Sequence, residues 1–496
     1  MAQLTQFNGG LVTRVAPHLL GVTQAVTNIN VDMSAGSLRP LKGPTATGTS
    51  TGAYSYWFRN KNQWFSSSTY RDYLEFQGKL IYTDGVKPKV HDGVTERNLG
   101  VIEPTVAPST TLASGTLTGT YQYAYSYYND QQGIESSISP LTPELTLANN
   151  QVMLTLTPST DPQVSNIRLY RIGGIWTDFL LVETLPNTAT PYYDNLADQT
   201  LQGRLIGNVS NTAPRDELRF VCERQGTFFG AVGDKLYYTK GDGQPYYWPT
   251  TFYINVFEPI TALASCTSGI YVFTATSVFM LTGNDSTSFA LVTLSRSQGC
   301  LNAASLVYVN DSVIFGSNDG ICLVSGTSVA VISQALLTKE AFNITRACLH
   351  DDVYYAQLAN GSVLMYDMRF DSVKFSYLSC SSTDIYTGND KLYVTVASSR
   401  KELNGAALSY TYKTGKLTEG QISNLKTYNK FYLAVDGTVT VKLYLDGVLA
   451  NEQVCTTGTT ELVVPQHMRE AYYFEVEFTG TGEVQELYYN IMPRQM

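Results

Sequence analysis

The sequence predicts an all-β protein: a β-propeller with an inserted immunoglobulin- or fibronectin-like β-sandwich and a C-terminal β-sandwich. Composition gives the class. Only 15% of the 496 residues are charged, and 35 are tyrosine amid abundant Thr, Ser and Gly. That mixture favours strands and turns over helices. A recurring strand gives the architecture. "GKLIYTDG" at Leu80 returns as "DKLYYTKGDG" at Leu236, "SGIYVFTATS" at Ile270, "NDSVIFGSNDG" at Val313, "DDVYYAQLANG" at Val353 and "NDKLYVTVA" at Leu392. The last five are 34, 43, 40 and 39 residues apart. A period near 40 with several short strands per unit is that of a propeller blade.

The insertion follows from a break in that period. Leu80 and Leu236 are 156 residues apart, and residues 104–200 have a different character. In "TYQYAYSYYND" the alternation places Tyr121, Tyr123, Tyr125 and Tyr127 on one face of a strand. Further runs, "VMLTLTP", "NIRLYRIGG", "DFLLVETLP" and "PYYDN", bring the count to roughly seven short strands, the size of an immunoglobulin-like sandwich. The flanks "EPTVAPSTTLASG" and "NTAPRDE" are boundary material. Removing the insert leaves about 60 residues, one and a half periods, which is room for a divergent blade.

At the C-terminus, "KFYLAVDGTVTVKLYLDGVLANEQV" alternates apolar and polar residues across turns at Asp436-Gly437 and Asp446-Gly447. Residues 420–496 therefore read as a terminal sandwich, although its first strand could instead close the propeller ring. The organisation predicted is an N-terminal arm over 1–50, a propeller over 51–103 and 201–419, the insert over 104–200 and the sandwich over 420–496. The arm has few periodic strands and is expected to dock on a neighbouring subunit. "PHLLGVTQAV" suggests a turn or two of helix, and "SQALLTKEAF" (333–342) one short helix.

Charge and motifs narrow the function. A net charge of −9 does not seek nucleic acid or an anionic membrane. Two weakly basic stretches, 1–50 and 400–430, read as solvated faces. Seven cysteines with no C-x-x-C pair point to free thiols rather than a disulfide framework or zinc site. "MAQLTQFNGGLVTRV" lacks the layout of a secretory leader, and no run of 18 apolar residues occurs. Four histidines (His18, His91, His350, His467) have no metalloprotease spacing, and no nucleophile elbow or phosphate-binding loop is present. A propeller glycosidase would need two carboxylates about a sugar bond. Asp72, Glu75, Asp234, Asp242, Asp319, Asp351 and Asp352 are available, but Asp beside Gly or Asn is ordinarily turn chemistry. No catalytic, cofactor-binding or metal-binding residue is assigned. The aromatic clusters "YSYWF" (Tyr54 to Phe58) and "QPYYWP" (Gln244 to Pro249) suit sugar stacking, subunit anchoring or a blade core.

Three segments carry a resemblance. "RFVCERQGTFFGAVGDKLYYTKGDGQPYYWP" (Arg219 to Pro249) resembles a recurring stretch of tailed-bacteriophage virion proteins, in which a "G-x-x-F" strand precedes "D-x-LYY", a Gly/Pro turn and "YW". "FNGGLVTRVAPHLL…AVTNINVDMSAGSLRPLKG" is similar to their N-terminal arm, and "TYQYAYSYYNDQQGIESSISP…NIRLYRIGG" to their inserted fibronectin-like domain. Together these stretches resemble the tail nozzle of short-tailed phages, including tail tubular protein B and packaged-DNA stabilisation proteins. The resemblance implies a non-enzymatic homohexameric ring in the virion tail, assembled in the host cytoplasm. Such a ring is bound to a tail adaptor and to fibres or tailspikes, has no membrane anchor, retains the genome and passes double-stranded DNA on ejection. The rival readings are a propeller carbohydrate-active enzyme and a host-surface glycan-binding tail protein.

Overall fold

The computed structural model describes residues 2–32, 34, 36–49, 54–340, 342–369 and 374–493. The protein is all-β: among the described residues there is no α-helix, only single 3-10 turns such as Pro17–Leu19 and Ile332–Ala335. The helix expected over 333–342 does not form among the described residues, which exclude 341. Its residues are claimed by neighbouring structure, with Ser333 Oγ accepting from the Ile321 amide and Leu337 buried. The chain divides into two compact units, Met1–Tyr70 with Cys266–Met280 and Val292–Met496, and Arg71–Ser265 with Leu281–Leu291.

Six four-stranded sets run as up-and-down meanders in chain order, spanning 72–98, 219–255, 260–295, 307–331, 344–379, and 384–402 with Thr45–Thr49 as the fourth strand. In four of them the first two strands are joined by two residues, both with positive φ: Gln77-Gly78, Gln225-Gly226, Asp351-Asp352 and Asn389-Asp390. This is the primed hairpin turn, whose twist matches that of the strands it joins. The repeated motif is thus the second strand of each sheet, with one exception. Leu236 lies on the third strand of its sheet, Lys235–Tyr238, and the second is Thr227–Val232. Gln225-Gly226 before Phe228 matches Gln77-Gly78 before Leu80, so Phe228 is the equivalent residue. From Phe228 to Ile270 is 42 residues, and the anomalous spacing of 34 disappears. Among the described residues no further four-stranded set lies between 98 and 219, so the divergent blade is not there.

In the unit containing Arg71–Ser265, the insert forms one connected six-stranded sheet rather than seven short strands. The first begins earlier than expected, in what read as boundary material: Ser109–Asn129 runs 21 residues. It pairs with Leu145–Thr155 along its first half and with Asn166–Gly173 from Tyr121 onward. A register shift between Ser114 and Leu117 carries it through Gly115, where a Cβ would lie 2.3 Å from the Gln151 amide nitrogen. Tyr121, Tyr123, Tyr125 and Tyr127 are buried in the core, as their alternation predicts. Within it Arg171, itself buried, reaches Asp194 at 2.6 Å and Asp198 at 2.9 Å. The Tyr123 hydroxyl donates to Asp194 at 2.8 Å and that of Tyr121 to Asp198 at 3.2 Å. Burial and these carboxylates push both phenols above their ordinary pKa.

In the other unit, residues 410–493 and the N-terminal arm build two sheets around one apolar core. Val439–Leu445 alternates strictly, with Val439, Val441, Leu443 and Leu445 buried. The Asp446-Gly447 turn is a two-residue hairpin, but Asp436-Gly437 is not: it passes the chain from one sheet to the other. Gly437 permits this because Gly482 crosses so closely that a Cβ would lie 2.9 Å from its Cα.

The arm is built into sheets of its own chain. Ala2–Leu4 pairs with Glu483–Pro493, and Ala25–Ile29 with Tyr410–Thr414. Leu4, Phe7, Ala25, Val31 and Leu38 enter the same core, and the Phe7 ring meets Tyr412 and Phe478 edge-on at 5.8 Å each. Ile29 also pairs in parallel with Tyr377, so Ala25–Ile29 joins the 344–379 strands to the C-terminal strands as one nine-stranded sheet. The apolar residues of the arm are too scattered in sequence to signal this, because each belongs to a core completed only by the C-terminal strands.

Two outcomes are expected. Arg171→Met strands the buried Asp194 and the half-buried Asp198 and costs about 3–5 kcal/mol in urea unfolding of the full chain, with Arg171→Lys recovering only part. Phe7→Ala costs about 3–5 kcal/mol by the same measurement, and deletion of 2–30 lowers the soluble yield of the monomer itself.

Candidate interaction surface

The carboxylates available for glycosidase chemistry are placed by local structure. Asp234 is the second residue of the two-residue loop between Val232 and Lys235. Asp242 accepts from the Gln244 amide at 3.1 Å, an Asx turn. Asp72 accepts from the Phe220 amide at 3.3 Å, where Phe220 adopts a φ of 57° at an irregularity of its strand. Glu75 lies on the same first strand as Asp72, paired opposite Leu80. In the other unit, Asp319 pairs with Lys339 at 2.9 Å, and Asp351 and Asp352 form a hairpin turn beside His350. No cluster of three or more His, Cys, Asp or Glu that could hold a metal occurs among the described residues.

The seven cysteines are free. Burial raises the thiols of Cys222, Cys300, Cys322, Cys348, Cys380 and Cys455, Cys300 to about 12 and Cys322 to about 11, which keeps these six protonated and unreactive. Of the aromatic clusters, Tyr246 and Trp248 of "QPYYWP" are core residues, and the Trp248 indole donates to the Pro245 carbonyl at 2.7 Å. "YSYWF" forms one strand of a separate hairpin. Lys79 donates to the Tyr246 hydroxyl at 2.8 Å, a structural contact.

An apolar cleft of about 600 Å³ opens on the insert, lined by Pro104, Ile138, Pro140, Leu141, Phe179 and Val209, with Glu103 its one charged group. The segment 204–211 makes its wall. Its backbone hydrogen-bonds Ile138 through Asn208 and Phe179 through Gly207, and Leu180 pairs with Ile206. Gly207 has no side chain because a Cβ would press on Ile138 and the Tyr170 ring at 3.1 Å. The segment therefore lies flat on Tyr170 and turns Leu205, Ile206 and Val209 outward, at 54%, 62% and 69% exposure. Three exposed aliphatics beside a cleft with one charge form a surface suited to protein contact. Sequence reading assigned the segment to the propeller range, 201–419, whereas it packs on the insert's strands. The only signal is "RLIGNVSN", whose aliphatics lack either strand or helix period.

No family model and no curated protein matches the chain. Among solved structures it is similar to BamB from Moraxella catarrhalis, at 12% identity over 61% of this chain and 97% of that one, with a TM-score of 0.26. It is also similar to Saccharomyces cerevisiae Sqt1, at 11% identity over 72% and 98%, TM-score 0.27. PorZ of Porphyromonas gingivalis gives 10% identity over 82% and 59%, TM-score 0.31. BamB and the WD40-repeat neighbours are β-propellers, and at these values an all-β architecture is the extent of the likeness.

Proposed function

We propose that the chain is a structural protein of a short phage tail, a nozzle subunit whose four-stranded sheets are propeller blades and whose insert is a fibronectin-like sandwich. The observation that carries this reading is the segment Arg219–Pro249. Of the residues on which its resemblance to tail proteins rests, Phe229, Leu236, Tyr237 and Trp248 are buried. What is shared is a way of folding, as befits a scaffold.

The role asks for broad permanent contacts and little charge. The insert offers such a contact in the cleft bordered by Leu205, Ile206 and Val209. A head-to-tail contact of this kind closes into a ring when its rotation allows. The net charge of −9 suits a conduit that repels phosphates and does not hold them. Its partners in this reading are further copies of itself, six in a ring, a tail adaptor, fibres and the passing DNA.

Light scattering and negative-stain imaging of the full chain should give a sixfold ring, alone or with its adaptor. Ile206→Asp with Val209→Asp should reduce the ring population at least tenfold, since each charge must be desolvated in the contact, while leaving the circular dichroism of the monomer unchanged. A monomer that cleaves or binds glycans contradicts the reading.

A further inference from the structure

Residues Tyr54–Phe58 and Gln63–Ser67 form a two-stranded hairpin that pairs with no other strand among those described. It rests on the first strands of two successive sheets, Ile344–His350 and Asp384–Gly388. Two kinds of contact seat it. One is apolar: Trp64 packs on Tyr386 and Tyr393 at ring distances of 5.5 and 5.2 Å and against Trp57 at 4.8 Å, beneath the Arg400 guanidinium at 3.9 Å. Gly388 makes the seat, because a Cβ there would lie 2.4 Å from the Trp64 ring.

The other contact is a single carboxyl. Asp384 is fully buried, and its Oδ2 accepts from the Ser55 amide at 3.0 Å. Its Oδ1 is buried with no hydrogen-bond partner. Arg346 donates to the Ser55 carbonyl at 3.2 Å, and its guanidinium lies over the Tyr70 ring at 5.5 Å. The groups facing Asp384 are Arg346 and the Cys348 thiol from one strand, the Ser55 amide from the hairpin and the Ile385 amide from its own strand. A carboxylate with one oxygen unpaired and buried is a costly group to keep ionised.

We propose that the hairpin Tyr54–Ser67 is a flap, closed over Arg346 and Asp384, that opens when Asp384 gives up its proton. Hydrogen bonds and aromatic packing hold it on these strands, and among the described residues no sheet ladder ties it down, so it can leave without breaking a four-stranded set. Burial, the largest cause, raises the Asp384 carboxyl from 3.8 to about 6, against the opposing pull of Arg346 and the two amides. The closed state then binds the proton more tightly than the open one. Closure is favoured at acid pH, and that advantage is lost as pH rises through about 6. Opening exposes a cation and an anion that the flap covers at low pH.

Hydrogen exchange of the full-length protein tests this, read at residues 54–58 and 63–67 and corrected for the intrinsic pH dependence of exchange. Between pH 5 and pH 7.5 the opening equilibrium should rise roughly tenfold, the change that linkage gives for this carboxyl. Asp384→Asn, neutral at every pH, should abolish the rise, and Trp64→Ala should open the flap at both values while the Val353–Leu358 amides stay protected. An absent pH effect, or the same effect in Asp384→Asn, overturns the proposal. So does exchange of the hairpin only together with Val353–Leu358.

Discussion

Strand pairing over long sequence distance is the constraint on which the N-terminal unit rests. A sheet edge must be paired, covered or blunted, and here the N-terminal segment up to Thr49 meets that need in three places. Thr45–Thr49 supplies the fourth strand to Asp384–Glu402, Ala25–Ile29 fills the gap between Lys374–Ser379 and Tyr410–Thr414, and Ala2–Leu4 borders Glu483–Pro493. A segment that would otherwise fray is thereby tied into sheets of the same chain. The loop-closure entropy of joining strands so distant in sequence is modest, because it grows only with the logarithm of loop length. The apolar burial of Leu4, Phe7 and Ala25 outweighs it.

That constraint separates what the sequence could reveal from what it could not. Patterns set by neighbours in the chain were legible. The tyrosine face of Tyr121 to Tyr127 and the alternation of Val439 to Leu445 both describe which side of a strand is buried, and both match the structure. The blade-like period was legible as well, because a two-residue turn with positive φ leaves a local mark in Asn, Asp and Gly. Its one error of phase, at Leu236, arose because "GDKLYY" repeats the turn between second and third strands, while Gln225-Gly226 marks the first hairpin less conspicuously.

Features set by distant partners were not legible. The arm looked structureless because the partners of Ala2–Leu4, Ala25–Ile29 and Thr45–Thr49 all lie toward the other end of the chain. Asp436-Gly437 looked like a hairpin because a crossover between sheets uses the same residues, and only Gly482 on the opposite strand pair distinguishes the two. "SQALLTKEAF" has helical propensity, yet the burial of Ser333 and Leu337 against neighbouring strands overrides it. The cleft was passed over for a related reason: Leu205, Ile206 and Val209 point away from the core that periodicity detects. Trp57, by contrast, was noticed in an aromatic cluster, while the seat of its neighbour Trp64 on Gly388 depends on a strand far along the chain.

The central claim is that the N-terminal strands are paired members of this chain's own sheets. Hydrogen exchange resolved to Ala25–Ile29 and Thr45–Thr49 tests it most directly. Their amides should exchange as slowly as those of their partners, Tyr410–Thr414 and Ser399–Glu402, and lose protection with them as one cooperative unit. Fast exchange of the N-terminal strands while those partners remain protected would contradict it.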